Sequence, residues 1–359
     1  MDILFVGIDF GTMNTAIVAS NGMRTVQQTV VGWPRDYVAR KKLGKEVLFG
    51  EEVQLHRLAL NIVRPFHKGA LKYGSASSGG ADQSGLERSK LAAKLILENA
   101  IQSVDPPSGH QILGVVGVPA EASVQNKQLL LELAREVMDV AVLVPEPFAV
   151  GFCQDQAQNA LVVDIGAGTI DLCHLYGALP TEHDQLTIAY GGDYVDEDFM
   201  KRMAEAVPHA RLALGVARSI KERHGFVGTE LHPVPVSLPT RGGTPQIVDV
   251  SVPLHAACTT LADAVVDGLR EMLDRLDPEF HSELLAHILL GGGGSQLRGL
   301  DDYIDSALES YGQVGVTRLH DSAFAGATGA LRLAMSMPEE DWKAVQQADQ
   351  RSGFRRRAA

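Results

Sequence analysis

The chain has 359 residues, 45% of them hydrophobic, which is enough for two or three domain-sized units with buried cores. A formal net charge of −12 disfavours binding to a nucleic-acid backbone. The three cysteines, Cys153, Cys173 and Cys258, form no CxxC pair, which argues against a disulfide framework or a zinc site and favours a reducing, cytoplasmic location. No apolar run approaches the ~20 residues of a membrane span, and no basic segment precedes residue 3, so the sequence predicts neither a membrane span nor a signal peptide.

A glycine-rich pattern occurs twice along the chain. Residues 5–12 (FVGIDFGT) are an apolar run that ends in an acid and a glycine-rich turn, and strand-like residues follow at 15–18. The pattern therefore predicts a β-hairpin. It returns about 155 residues later, at 162–169 (VVDIGAGT), a spacing far beyond any solenoid period. The repeat predicts two homologous halves that face each other across a cleft.

The segment between the two hairpins is polar and basic in its first part and has helical and strand-like patterns in its second part. Residues 32–110 carry basic and polar stretches, which indicate an inserted subdomain, and the Ser/Gly tract at 75–85 is either a flexible excursion from it or an ordinary disordered loop. Helical periodicity resumes at 86–101. Apolar runs at 112–118 and 140–144 flank a helix-like stretch at 124–138, which predicts a β-α-β unit.

The last part of the chain predicts a second inserted region and a return to the core. Its predicted elements are helical residues at 197–223, strand-like segments at 230–252, a long amphipathic helix at 254–276, a helix at 297–308 after the glycines of 291–294, and a close-packed Ala/Gly-rich segment at 323–335. Arg351, Arg355, Arg356 and Arg357 then follow a polar stretch, which is typical of a frayed, solvated tail.

Three glycine-rich turns that each follow a strand predict a phosphate site, because glycine lets backbone N–H groups approach an anion closely. The chain contains neither GxxxxGK[ST] nor a GxGxxG that opens a helix, which excludes a P-loop and the dinucleotide fingerprint. Neither hairpin turn contains a lysine, so a metal would have to offset the charge of a triphosphate. Asp9 and Asp164 are placed to hold hydrated Mg²⁺. The alternative for each is a turn residue that caps its own hairpin.

Five segments, in the same order along the chain, resemble the motifs of the actin, sugar-kinase and heat-shock-chaperone ATPase superfamily. They are residues 9–15 and 164–171 (the two phosphate motifs), 290–295 (the adenosine motif), and 146–151 and 326–330 (the two connecting helices). Within this superfamily the chain resembles the bacterial actins that form the filaments organising magnetosomes, in residues 31–36, 39–40, 221–222, 226–229 and 329–334. The Ser/Gly tract is longer than the corresponding stretch of those proteins.

The resemblance implies an α/β, actin-like ATPase fold, with two similar ribonuclease-H-like domains around a nucleotide cleft and a subdomain inserted in each. The implied bounds are 1–31, 111–160 and 308–340 for subdomain IA, 32–110 for IB, 161–200 and 286–307 for IIA, 201–285 for IIB, and 341–359 for a flexible basic tail.

The resemblance also assigns roles toward ATP or ADP and Mg²⁺. Asp9 and Asp164 would hold the metal, largely through water, and Asp164 and Glu146 would be catalytic, with Glu146 orienting the attacking water. Other residues would wrap the phosphates: Gly11, Thr12, Asn14, Thr15, Gly166, Gly168 and Thr169. The ribose and adenine would contact Gly192, Lys221, Glu222, Gly292, Gly293 and Ser295. The alternative for Glu146 is an acid favoured at a helix N-terminus by the helix dipole alone.

The function implied is that of an ATP-dependent, filament-forming bacterial actin whose ATP hydrolysis controls filament turnover. Its partners would be its own copies and magnetosome-associated or other organelle-linking proteins, in a cytoplasmic filament, without nucleic acid and without direct membrane insertion. Two alternatives stay open: a small-molecule kinase of the sugar-kinase type, and another actin-like cytoskeletal protein that sets cell shape or segregates plasmids. A chaperone ATPase is disfavoured, because little of this chain follows the nucleotide motifs.

Overall fold

The computed structural model describes residues 2–67, 70–71, 83–120, 122–154, 158–240 and 243–351. The elements up to residue 152 are β1 (Ile3–Phe10), β2 (Asn14–Ala19), β3 (Arg24–Gln28), β4 (Val31–Pro34), α1 (Tyr37–Leu43), β5 (Leu48–Phe49), α2 (Gly50–Leu55), β6 (Leu60–Val63), β7 (Phe66–His67), β8 (Ala70–Leu71), α3 (Gln83–Ser103), β9 (Gln111–Val118), α4 (Val124–Val137), β10 (Val140–Pro145) and α5 (Glu146–Phe152). The later elements are β11 (Gln158–Ile165), β12 (Ile170–Tyr176), β13 (Gln185–Ile188), α6 (Gly192–Ala206), α7 (Leu214–His224), β14 (Pro235–Leu238), β15 (Gln246–Asp249), α8 (Ser251–Arg275), α9 (His281–Ala286), β16 (Ile288–Gly291), α10 (Leu300–Leu308), β17 (Val316–Arg318), α11 (Ser322–Ser336) and α12 (Glu339–Arg351).

The chain divides into two compact units, residues 1–156 with 321–359, and residues 157–320. The central sheet of the first unit has the strand order β10-β9-β1-β2-β3. Strands β1, β9 and β10 are parallel to one another, β2 is antiparallel to β1, and β3 is antiparallel to β2. The predicted first hairpin and the predicted β-α-β unit are both confirmed. The apolar runs form the parallel strands β1, β9 and β10, because parallel strands are generally covered on both faces.

Helix α11 packs directly on strand β1 in the first unit. A Cβ added at Gly7 would overlap the backbone of Ala327 and Leu331, so glycine is required where the helix crosses the strand. Helix α5 meets α11 in the same way, because a Cβ at Gly329 would overlap the carbonyl of Ala149. The prediction of close packing for the Ala/Gly-rich segment is therefore confirmed.

Residues 30–63 form a small sheet of their own, with the order β5-β4-β6. Its core is small and consists of Val30, Leu48, Val53 and Leu60. This sheet lies within the predicted inserted region of residues 32–110 except at its start, because β4 begins at Val31 and the core includes Val30. Residues 75–82 of the Ser/Gly tract lie outside the described residues, whereas 83–85 already belong to α3, which begins three residues before the predicted start of helical periodicity.

The second unit repeats the sheet of the first. Its strand order is β17-β16-β11-β12-β13, with β11, β16 and β17 parallel and β12 and β13 antiparallel. The hairpin β11–β12 takes the place that β1–β2 has in the first unit, which confirms the predicted duplication. Helix α8 forms much of the core: thirteen of its residues are buried, Leu254, Leu261 and Leu269 among them.

The structure corrects several predicted bounds. Strand β17 pairs with β16, so residues 308–320 belong to the second unit and not to subdomain IA. The helical stretch predicted at 197–223 is two helices, α6 and α7, and the helix predicted from residue 297 begins at Leu300, after a short 3₁₀ turn at Gly293–Gln296.

The predicted flexible tail, 341–359, is helical as far as Arg351. Trp342 anchors this helix, because its buried indole donates a hydrogen bond to the carbonyl of Ala334 at 3.2 Å. Residues 352–359, with the last three arginines, lie outside the described part of the chain. Among the described helices, none is long and apolar enough to cross a bilayer.

Candidate nucleotide-binding site

Asp9 lies at the carboxyl end of β1, where parallel strands of the first unit end together. It is the register partner of Gly117 on β9, and a Cβ at Gly326 of α11 would lie 2.8 Å from its Oδ2 atom. Burial raises the pKa of the Asp9 carboxyl to about 6. A carboxylate whose charge is disfavoured in this way is stabilised by a nearby cation.

The turn after Asp9 is braced by a threonine from outside the hairpin. The Thr29 hydroxyl donates to the carbonyl of Gly11 at 2.9 Å and lies 2.9 Å from the hydroxyl of Thr15, which is fully buried. The Thr29 backbone N–H also donates to the carbonyl of Met13, at 2.7 Å. The buried Thr15 hydroxyl thus supports the turn, and the more accessible positions of the predicted phosphate loop are Gly11, Thr12 and Asn14.

Glu146 is the first residue of α5 and follows directly on β10. Its side chain is only 8% exposed and packs close to Gly117, at which a Cβ would come within 3.3 Å of its Cγ atom. Because Gly117 is also the partner of Asp9, the first unit brings Asp9 and Glu146 to the same end of its sheet.

The turn of the second hairpin is clamped by the start of α6. The backbone N–H groups of Gly192 and Asp193 donate to the carbonyls of Gly166 and Ala167, at 3.0 and 2.8 Å. A Cβ at Gly191 would come within 2.6 Å of the Ala167 oxygen, so glycine is needed at this approach. The predicted residues Gly166, Gly168 and Gly192 are therefore held in one neighbourhood.

A buried acid that the sequence assigned no role fixes the side chain of Thr169. The Asp171 carboxylate accepts hydrogen bonds from the hydroxyls of Thr169 at 2.6 Å and Thr187 at 2.5 Å. The Thr169 hydroxyl hydrogen is thus engaged inside the hairpin. If the second hairpin turn binds a phosphate, the donors that this turn can offer are therefore its backbone N–H groups.

Asp164 and Asp171 are register partners on β11 and β12, and both are buried. Paired residues of an antiparallel ladder lie on the same face of the sheet, where like charges destabilise each other. A cation near Asp164 would relieve this repulsion.

The third glycine-rich turn lies beside the second hairpin, because Gly291 on β16 pairs with Asp164. Gly292 adopts φ +71°, and a Cβ there would overlap the Asp164 carboxylate. Ser295 is fully buried and its hydroxyl donates to the carbonyl of Gly292 at 2.7 Å, so this predicted adenosine contact also closes its own turn.

An ion-pair network connects α6 with α7 beside the second hairpin. Lys221 Nζ lies 2.7 Å from Asp196 Oδ1 and donates to the carbonyl of Gly192 at 2.6 Å. Arg218 pairs with the same fully buried Asp196 and with Asp193, at 2.8 Å each. The structure thus brings the predicted residues Lys221 and Gly192 together, whereas Glu222 is exposed and takes part in none of these ion pairs.

Sequence reasoning missed the supporting residues of this site, namely Thr29, Asp171, Thr187, Asp196 and Arg218. One signal was available, because Asp193 and Asp196 on α6 and Arg218 and Lys221 on α7 repeat at i,i+3, the spacing that puts residues on one helix face.

The residues present fit a magnesium nucleotide. Within the described part of the chain, no three His, Cys, Asp or Glu side chains lie close enough together to enclose a metal ion. Mg²⁺ does not need such a cage, because it keeps several waters and binds through one or two carboxylates and the phosphates. Asp9 in the first unit and Asp164 in the second each lie at a strand end beside a glycine-rich turn, and their chemistry is that of such carboxylates; their role toward a metal stays a prediction.

The duplicated sheet, each copy with an acid and a glycine-rich turn at the same hairpin, defines an actin-like protein. The family model for MreB/Mbl protein matches residues 85–339. The actin-like protein MamK of Paramagnetospirillum magneticum is 36% identical over 340 residues, which cover 95% of this chain and 94% of that protein. The chain belongs to the MreB/Mbl family of actin-like proteins.

Solved structures agree with this assignment. The structure of a MamK double helical filament matches with a TM-score of 0.87 at 36% identity, over 94% of this chain and 100% of that one. A non-polymerising MamK mutant bound to AMPPNP matches with a TM-score of 0.71 at 36% identity, over 93% and 99% of the two chains. The predicted fold class and family are thus confirmed, and the nucleotide contacts of individual residues stay predictions.

Proposed function

We propose that this chain is the subunit of a homopolymeric, actin-like filament that binds and hydrolyses ATP. The observation that carries the proposal is the similarity, over nearly the full length of both chains, to a protein solved as a double helical filament. The AMPPNP in a related structure supports ATP as the nucleotide.

The phosphates would be bound mainly by backbone N–H groups of the three glycine-rich turns. The hydroxyls of Thr15, Thr169 and Ser295 are each engaged within their own unit, which favours a backbone cradle over a hydroxyl cradle. Lys221, fixed by Asp196 and Gly192, is the cation that the second unit would offer to the nucleoside.

Mg²⁺, when bound, would neutralise negative charge on the phosphates. Asp9 and Asp164 are the residues that would hold it, largely through water. The raised pKa of Asp9 and the pairing of Asp164 with Asp171 both indicate carboxylates that are stabilised by a cation.

Glu146 would orient the water that attacks the γ-phosphate and accept its proton, which yields ADP and phosphate. Its burial and its fixed position at the start of α5 support this role, because a positioned carboxylate of restricted hydration is an effective general base. Hydrolysis in such a site depends on positioning and electrostatics more than on covalent chemistry.

We also propose a place in a magnetosome-organising filament, in the cytoplasm, with organelle-linked proteins as partners, which the resemblance of residues 31–36, 221–222 and 226–229 to the magnetosome-organising bacterial actins implies. We extend the proposal to the subdomains: residues 32–110 as IB and 201–285 as IIB, with 1–31, 111–156 and 321–340 forming IA and 157–200 and 286–320 forming IIA.

Pelleting of the purified protein tests the proposal. We expect assembly and phosphate release with ATP and Mg²⁺, and reduced assembly with ADP or with EDTA. Absence of assembly under all three conditions would contradict it and would favour a small-molecule kinase, which needs an acceptor substrate for turnover.

A further inference from the structure

Strand β6 is an edge strand that lines an open groove. In the described part of the chain, β6 pairs only with β4, so the other edge of β6 has no neighbouring strand there. All four residues of β6 line a groove of about 550 Å³. Asn61 and Ile62 are exposed. The outer edge of a strand presents unpaired N–H and C=O groups to which another strand can add.

Three arginines complete the groove: Arg35 before α1, Arg57 before β6, and Arg88 on α3. All three are exposed, and no carboxylate among the described residues forms an ion pair with any of them. Arg35 is oriented along the strand, because its Nε donates to the carbonyl of Leu60 at 3.1 Å. Three guanidinium groups around one strand edge, with no carboxylate partner among the described residues, are a local exception in a chain of net charge −12.

We propose that this groove binds an extended acidic segment of a partner protein, which adds to β6 as a further strand. The strand edge would supply main-chain hydrogen bonds, as in other β-additions, and the three arginines would select carboxylate side chains. The attraction acts locally, since charges are screened beyond ~8 Å at physiological salt.

A second copy of this chain fits the groove poorly. Among the described strands, none carries two acidic residues, so another subunit offers no acidic strand to add. Asp249 on β15 is already engaged, because its Oδ1 accepts the backbone N–H groups of Val234 at 2.9 Å and Ser251 at 3.0 Å. A bilayer surface fits poorly too, because a concave strand edge offers directional hydrogen bonds that a lipid surface does not match.

The test uses the full chain and a short peptide that alternates glutamate and valine. One competitor replaces each valine by proline, which keeps the charge but removes the N–H donors needed for strand addition. The other is a vesicle of phosphatidylcholine and phosphatidylserine. The readouts are peptide affinity and amide hydrogen exchange at residues 60–63.

The groove variant is Arg57→Glu with Arg88→Glu, which leaves Arg35 and its bond to Leu60 in place. Lys41→Glu with Lys42→Glu is the matched control, because both lysines are exposed, form no ion pair with a described residue and lie outside the groove. We expect the groove variant to lose at least about tenfold in affinity for the glutamate–valine peptide. The control should bind it within about twofold of the wild-type affinity. The peptide should slow exchange at residues 60–63 in the wild-type chain.

Several outcomes would overturn the proposal. Equal affinity for the proline peptide, binding of the vesicle alone, or unchanged exchange at 60–63 would each exclude strand addition. Loss of ATP-dependent pelleting in the groove variant, with an unchanged melting temperature, would show that the groove is a contact between copies. Because pelleting is measured separately, failure of this inference is distinguishable from failure of the proposed filament function. Arg57→Gln with Arg88→Gln provides a second variant without reversed charge, and it should bind the peptide with intermediate affinity.

Discussion

The Thr169 hydroxyl donates a 2.6 Å hydrogen bond to the carboxylate of Asp171, two residues further along the same hairpin. Thr187, on the neighbouring strand β13, donates to the other carboxylate oxygen at 2.5 Å. The second glycine-rich turn is therefore tied to its sheet by a buried carboxyl group that accepts hydrogen bonds from both sides.

We expect Asp171→Asn to lower the free energy of unfolding by about 1.5–3 kcal/mol, the range for hydrogen bonds to a charged group, and to weaken ATP binding through the turn. Urea unfolding and nucleotide titration measure the two effects. Asp305→Asn, at an exposed position on α10, is the control and should change stability by less than about 0.5 kcal/mol. Equal stability of the two variants would exclude the bracing role of Asp171.

The contact between α5 and α11 gives a packing prediction. Gly329→Ala places a methyl group against the Ala149 carbonyl and 2.9 Å from the Cys153 nitrogen, so the helices must separate. We expect a loss of about 1–3 kcal/mol or more, the cost of overpacking. Gly215→Ala is the matched substitution, because no atom lies within 4 Å of its added Cβ, and it should be neutral or stabilising by up to about 1 kcal/mol. Thermal melting compares the stability of the two variants, and equal melting temperatures would contradict this packing.

The buried acid of the α6–α7 network gives a prediction about charge. Asp196→Asn leaves Arg218 and Lys221 without their fully buried partner, and we expect a loss of about 3–5 kcal/mol. Asp267→Asn removes an exposed partner of Arg270 and should cost less than about 1 kcal/mol. Chemical denaturation compares the two, and a small effect at Asp196 would show that water replaces the carboxylate there.

A cluster around Asp184 predicts a pH dependence of stability. Burial raises the pKa of Asp184, but hydrogen bonds from the Thr181 hydroxyl and N–H and from Tyr176 outweigh it, so the net pKa is lower than usual. Burial also lowers the pKa of the neighbouring His174. In both cases the unfolded chain takes up its proton at a higher pH than the folded chain does, so stability is lost as the pH falls.

Asp184→Asn should therefore be less stable than the wild-type protein at pH 7, and the difference should shrink as the pH falls through the folded pKa of Asp184, below the ordinary value of 3.8. Urea unfolding across this pH range measures the difference. A difference that stays constant with pH would show that the carboxylate contributes by shape and not by charge.

Local patterns predicted the elements that carry the candidate site. The hairpins at Asp9 and Asp164 follow from an apolar run, an acid and a glycine-rich turn, all within a few residues. The bracing contacts could not be predicted in this way, because Thr29 reaches its turn from the bend between β3 and β4, and Thr187 reaches its turn from β13. The identity of these residues carries no local signal.

The end of the chain is a second place where a tertiary contact decides the structure and the local sequence does not predict it. Residues 341–351 are polar enough to predict a solvated tail, yet a single residue, Trp342, anchors a helix there through the Ala334 carbonyl and a contact with Phe5 at 6.2 Å between ring centroids. One aromatic side chain with a tertiary partner outweighs the composition of the segment.

The measurement that tests the proposed function most directly is phosphate release and pelleting in the same sample, for the wild-type chain and for Glu146→Gln. Glu132→Gln, an exposed glutamate on α4, is the control for the loss of one carboxylate. We predict that all three proteins assemble with ATP and Mg²⁺, and that phosphate release falls by about 10²–10⁴ in Glu146→Gln alone, with slower disassembly of its filaments. Phosphate release at the wild-type rate from filaments of Glu146→Gln, or absence of assembly by the wild-type chain with ATP and Mg²⁺, would contradict the account.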